Sequence, residues 1–114
     1  MSLSTHVLDA RTGRPAEGVA VRVEERVGGD SPVDGDWRTI AEGHTDADGR
    51  IGALGNPGEG VHRLWFGTGA YFAAAGVDTF YPEVTVTFTV VDPAAHHHVP
   101  LLLSPFAFST YRGS

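Results

Sequence analysis

Three things are missing from this 114-residue chain: cysteine, lysine and any long hydrophobic run. Without cysteine there is no disulfide, no thiolate nucleophile and no cysteine-based zinc site, which fits a reducing, cytoplasmic setting. Without lysine all eight basic residues are arginine, against fourteen acidic ones, and the formal charge is −6. A chain so acidic lacks the clustered positive charge that a phosphate backbone demands, so nucleic acid is not an expected partner. No apolar run reaches the length of a membrane span, and the first strand is expected by Leu3, leaving no room for a signal peptide. The expectation is one domain, residues 1–114, cytoplasmic and without a membrane partner. A chain of this length buries roughly 65% of its unfolded surface and needs no staple to fold.

What is present is mostly strand. Ser4–Asp9 is rich in β-formers, with Thr5 and Val7 on one face and His6 and Leu8 on the other. Arg11–Pro15 is a turn, and Val19–Glu24 alternates apolar with charged residues, as a strand with one wet face does. Gly28–Gly35 reads as a loop and Trp37–Thr45 as a strand. Thr45-Asp46-Ala47-Asp48-Gly49 then makes a tight turn that presents Arg50 just past a bend. Ile51 and Leu54 allow at most a short strand before the Gly55–Gly60 loop. Val61–Phe66 follows as a strand. Thr68–Gly76, with good helix formers, an N-cap candidate and a terminal glycine, is the one helix expected. The β-branched run within Phe80–Val91 is a strand, and Asp92-Pro93-Ala94-Ala95 turns into a last hairpin. Seven or eight short strands separated by turns indicate a β-sandwich.

That hairpin, His98–Ser114, carries the most information. Alternation puts Val99, Leu101 and Leu103 on one face and His98, Pro100 and Leu102 on the other, with Ser104-Pro105 as the turn. Beyond it Phe106 and Phe108 share a face, and Ala107, Ser109, Tyr111 and Gly113 share the opposite one. Tyr111-Arg112-Gly113-Ser114 leaves the strand directly, which suggests a job for the terminus, with the Ser114 carboxylate held near a site. Small or apolar Pro100, Leu102 and Ala107 on a face that a lone sandwich would leave wet hint at subunit contacts.

Six histidines, three of them consecutive at His96–His98, first suggest a metal. His96 and His98 share a strand face, but zinc needs a third or fourth ligand, and His6, His44 and His62 lie on separate segments. Serine nucleophilic chemistry has no Gly-x-Ser-x-Gly elbow to stand on. Asp9, Asp46 and Asp48 sit where short acids serve the backbone. His6, Arg50 and His98 remain. A histidine on a strand is commonly structural, and Arg50 alone could be solvated or paired with Asp46 or Asp48. Yet Val7 and Val99 take the core-facing positions beside His6 and His98, so both imidazoles face outward. His97 falls on the core side with Val99 and reads as structural. His96 shares the face of His98, with support of that residue as its only expected role.

Leu3–Val21, the Thr45–Arg50 turn and His98–Ser114 together resemble the transthyretin-related 5-hydroxyisourate hydrolases over essentially the whole chain. The terminal Tyr-Arg-Gly-Ser is the most specific part, since it separates the hydrolases from hormone-carrying transthyretins. Departures are minor: Phe106 and Phe108 stand where tyrosine is frequent, and His97 where an aromatic is. The resemblance implies an all-β, transthyretin-like sandwich of two roughly four-stranded sheets with one short helix, and four subunits around a central channel, the sites lying at subunit interfaces. It implies His6, Arg50 and His98 as catalytic residues and Tyr111, Arg112, Gly113 and Ser114 as substrate-binding residues. The implied reaction, in urate degradation towards allantoin, is hydrolysis of 5-hydroxyisourate to 2-oxo-4-hydroxy-4-carboxy-5-ureidoimidazoline. No metal or other cofactor is called for. Histidine suits the proton roles because its pKa of about 6.5 lies near working pH, and arginine suits a developing oxyanion. His98 is expected to position or deprotonate the water, with His6 as partner. The rival readings are a transthyretin-like small-molecule carrier without turnover and a metal-binding module at His96–His98.

Overall fold

The computed structural model describes residues 2–28 and 36–114. The expected Gly28–Gly35 loop therefore lies, but for Gly28, outside the described residues. In chain order the elements are β1 (Leu3–Asp9), β2 (Arg14–Pro15), β3 (Ala20–Val27), β4 (Asp36–His44), β5 (Arg50–Ile51), β6 (Gly60–Phe66), α1 (Thr68–Ala74), β7 (Val84–Val90), β8 (His97–Ser104) and β9 (Ala107–Thr110). They form two sheets. One runs β2-β1-β8-β9, with the short β5 also on β1; the other runs β4-β3-β6-β7.

The period-2 alternation read from the sequence is what builds the core. Leu3, Val7, Val99, Leu101 and Leu103 from the first sheet meet Val21, Val23, Leu64, Phe66 and Val84 from the second, all buried. Phe72 of α1 closes one end of this cluster. The helix is tied down by Tyr71, whose hydroxyl donates 2.8 Å to Asp9 Oδ2 at the end of β1. Burial, and then that carboxylate, push the phenol up to about 12. Asp9, read as an acid closing a strand, is fully buried and also accepts from Arg11 N–H at 2.9 Å and the Arg11 guanidinium at 3.3 Å.

One detail differs from expectation, and a second is non-local. The helix has Gly67 at its N-cap and no side-chain cap; Thr68 is already inside the first turn, buried, with its hydroxyl unpartnered. The reason is close packing: a Cβ on Gly67 would lie 2.9 Å from the Trp65 ring, so the chain turns on glycine. Second, β1 and β8 pair in parallel, Leu3 opposite His97 through Asp9 opposite Leu103. Nothing local to either strand specifies that partnership.

The Thr45–Gly49 turn is held from two sides. Buried Thr45 donates its hydroxyl to Ala16 O at 2.6 Å and accepts Val19 N–H at 2.9 Å. Gly49, at φ +76, backs onto β1: Val7 N–H donates to Gly49 O at 2.7 Å, and a Cβ would collide with Val7 O and stand 3.1 Å from Pro15 Cβ. Gly49→Ala is expected to cost about 2–3 kcal/mol, lowering the melting temperature by on the order of 10 °C. Gly13→Ala is the control: its φ of +72 is similar but open space surrounds it, so only about 1 kcal/mol is at stake. Equal falls in a thermal melt would mean that contact with β1 is not what Gly49 provides.

Candidate active site

The tight turn delivers Arg50 to β1. Asp46 Oδ1 accepts the N–H of Asp48 and of Arg50, each at 2.9 Å, while Asp46 N–H donates to Arg50 O at 2.9 Å. Its carboxylate is thereby engaged with backbone. Among the described residues the ion pairs are Arg11–Asp9, Arg38–Glu25 and Arg63–Glu24, so the exposed guanidinium of Arg50 has no carboxylate partner. Antiparallel pairing sets Arg50 directly opposite His6. On the other side of β1, His6 stands opposite Pro100 and Ser4 opposite His98. Neighbouring strands lie about 4.8 Å apart and alternate residues share a face. The register therefore gathers Arg50, His6 and His98 on the outward face of the first sheet.

His98 is held firmly. Its Nδ1 lies 2.8 Å from Ser4 Oγ, which also lies 3.1 Å from His96 Nε2; His96 Nδ1 is 2.8 Å from Ser2 Oγ. The two imidazoles stack at 15°, 6.5 Å between centroids. With Nδ1 engaged, Nε2 of His98 is the nitrogen left for chemistry. Burial depresses the pKa of His98 below its ordinary value, and the neighbouring Arg50, His6 and His96 depress it further, outweighing the ring's hydrogen bond to Ser4. The ring is a neutral imidazole at neutral pH, able to accept a proton.

The end of the chain runs along this histidine. Gly113 N–H donates to His98 O at 2.8 Å, forming an isolated antiparallel bridge. A Cβ on Gly113 would strike His98 Cδ2 and lie 3.1 Å from Cγ and 3.3 Å from Pro100 Cγ. Glycine is needed here for close approach. Thr110 donates its hydroxyl to Pro100 O at 2.8 Å, and Tyr111 follows with 59% of its surface exposed. His98, Tyr111 and Arg112 line a cavity of about 180 Å³ between the sheets with Val86, Phe88 and Val99. His6 and Arg50 do not line it, so the candidate site is the outward face, and the cavity adjoins that face at His98. Ser114 is exposed next to Gly113.

The other histidines separate as the strand parity requires. His97 is buried, its Nδ1–H donating to Ala95 O at 3.0 Å. His62 is buried against Phe88, with ring centroids 6.0 Å apart. His44 lies at the end of β4 in the other sheet. Ser4 and Ser2 escape a reading of the sequence. Parity places them on the face of His6, but the histidines they bond are more than ninety residues away and known only once β1 and β8 pair.

A two-sheet sandwich with a single short helix between β6 and β7 is the transthyretin architecture. Sea bream transthyretin, solved with thyroxine, superposes with a TM-score of 0.88 at 36% identity, covering 99% of this chain and 95% of that one. The 5-hydroxyisourate hydrolase of Klebsiella pneumoniae gives 0.83 at 38% identity over all of both chains. The chain belongs to the HIUase/Transthyretin family, whose model matches residues 3–113. A 5-hydroxyisourate hydrolase of Salmonella typhimurium is 46% identical over 117 residues, covering 98% of this chain and 80% of the relative. Fold similarity is as high to a thyroxine-binding protein as to a hydrolase, so it does not separate the two activities.

Proposed function

We propose that this protein is an enzyme that hydrolyses 5-hydroxyisourate, opening its ring at a cyclic amide to give 2-oxo-4-hydroxy-4-carboxy-5-ureidoimidazoline. The observation that carries the reading is the convergence of Arg50, His6 and His98 on one outward face, in a family whose relatives include hydrolases of that name. His98 Nε2 takes a proton from water as its oxygen bonds to the amide carbonyl carbon. Arg50, permanently charged and without a carboxylate partner among the described residues, stabilises the oxyanion. His6, opposite Arg50, gives a proton to the departing nitrogen as the C–N bond breaks. Tyr111, Arg112, Gly113 and Ser114 bound the substrate beside His98. Hydrolysis changes no oxidation state, and these side chains supply base, acid and fixed cation. Accelerated loss of the ultraviolet absorbance of freshly oxidised urate tests the proposal. Binding without acceleration would favour the transthyretin-like carrier, the reading that the sea bream protein's likeness supports.

The whole chain acts as a single hydrolase domain in the cytoplasm, assembled as a homotetramer with sites at subunit interfaces. No helix among the described residues is long and apolar enough to cross a membrane. Support for assembly comes from β7 and β9, one edge strand of each sheet, and the apolar side chains around them: Phe106 is 68% exposed, Phe80 72% and Leu102 38%. Closed symmetry lets one such face serve two sites. Light scattering is expected to give four times the monomer mass; a fully active monomer would overturn this arrangement.

A further inference from the structure

Ser2, His96, Ser4 and His98 form an unbroken hydrogen-bonded chain, with links of 2.8, 3.1 and 2.8 Å, from the exposed His96 to the half-buried His98. Each hydroxyl has one proton to donate, and each neutral imidazole one donor and one acceptor nitrogen. Ser4, lying between two imidazoles, therefore has two settings. In one, His98 Nδ1–H donates to Ser4, Ser4 donates to His96 Nε2, and His98 Nε2 presents its lone pair as a base. In the other, His96 Nε2–H donates to Ser4, Ser4 donates to His98 Nδ1, and His98 Nε2 carries the proton as an acid.

We propose that Ser4 and His96 are a proton relay that switches His98 between these settings, so that for each proton won from water another leaves through His96. The relay rests on the reading of His98 as the base of the hydrolysis. The step conserves every proton. His98 Nε2 gains one from water, Nδ1 gives its own to Ser4 Oγ, and the serine passes its hydroxyl proton to His96 Nε2. His96, now a cation, returns a proton to solvent through Nδ1 and Ser2. Only O–H and N–H bonds change.

Electrostatics favour this exit. The titratable and charged groups facing His98 are Arg50 from β5, His6 from β1 and His96 from the segment leading into β8, and each opposes a positive charge on it. Arg50 is level with His6; His98 lies level with Ser4, one repeat away, and His96 precedes it by another. That repeat is about 7 Å, which places the cation on His96 farther from Arg50 and in solvent, where its repulsion is weak. Ser4 itself is only 8% exposed, so its proton has no other outlet than the two imidazoles.

The test uses the full chain and the variants Ser4→Ala, Ser4→Thr, His96→Gln and the Ser4→Ala/His96→Gln pair. Ser4→Ala and His96→Gln are each expected to lower kcat about 10–100-fold with KM changed less than about twofold. The pair should be no slower than the slower single variant, because both break one chain. Ser4→Thr, which keeps the hydroxyl, should restore most of the rate. In wild-type protein the imidazole nitrogen resonances of His96 and His98 should titrate together, and in Ser4→Ala independently. Wild-type kcat in His96→Gln, or losses that multiply in the pair, would overturn the relay while leaving His98 as base. If Ser4→Ala does not fold, His96→Gln at the exposed end carries the kinetic arm alone. If the wild type does not hydrolyse 5-hydroxyisourate, the proposed function falls. The nitrogen titrations then judge the chain by themselves, and independent titration in the wild type refutes it.

Discussion

His98→Ala is expected to lower hydrolysis of 5-hydroxyisourate by about 10²–10⁴-fold, the usual cost of removing a positioned acid or base. His6→Ala and Arg50→Ala should fall in the same range, all three remaining folded. Stability should survive because these side chains point outward: the buried neighbours Val7, Val99 and Leu101 are untouched. Rates near wild type in any two of the three would defeat the assignment. The pH profile gives a second check. A base must be neutral to act, and the pKa of His98 is depressed, first by burial and then by Arg50, His6 and His96. Activity should therefore hold through neutrality and fall only at a pH below the ordinary histidine value of about 6.5. Arg50→Ala removes one of the depressing charges, so the acid limb of its residual activity should move upward. A limb that moved down would show that Arg50 does not act on His98. The same shift enters stability with a definite sign. Because the folded-state value is lowered, the neutral imidazole is favoured by folding, and that contribution is lost as the pH falls.

Deletion of residues 111–114 is expected to lower activity by a comparable two orders of magnitude or more, with little change in melting temperature. The geometry explains both halves. The segment adds no buried apolar residue to the core, so its loss costs little. But Gly113 N–H is bonded to His98 O and its Cα lies against the His98 ring, so the segment walls one side of that imidazole. Gly113→Val is the sharper version, since it keeps the chain length and pushes a side chain into His98 Cδ2 and Pro100. It should cost turnover as the deletion does, through displacement of the imidazole. If the truncated protein worked at the full-length rate, the Gly113 bridge would be a fraying end that happens to touch His98.

Gly49 and Asp9 show where local and non-local causes divide. Gly49 is legible as a turn glycine because Asp-Gly is a strong turn signal, and the structure gives it φ +76. That the turn must also lie flat on Val7 is invisible until β1 is its neighbour. Asp9 makes the same point. Its place at a strand end is local, but its burial under Tyr71, sixty-two residues on, is not.

By itself the sequence determined the strands, their faces and the outward direction of His6 and His98, because a side-chain period of two is a property of the strand alone. It also determined that Arg50 follows a tight turn and that His97 belongs to the core, through the same parity. Only the tertiary structure decided which strands are neighbours. The parallel β1–β8 pairing brings Ser4 to His98, and the antiparallel β1–β5 pairing brings Arg50 to His6. Those partnerships join residues more than forty and more than ninety positions apart, chosen by burial of both sheets against one core, and no local propensity encodes them. Ser4, an ordinary strand serine in the sequence, acquires its two imidazole partners from that pairing, and the lowered pKa of His98 comes from the neighbours that packing places around it.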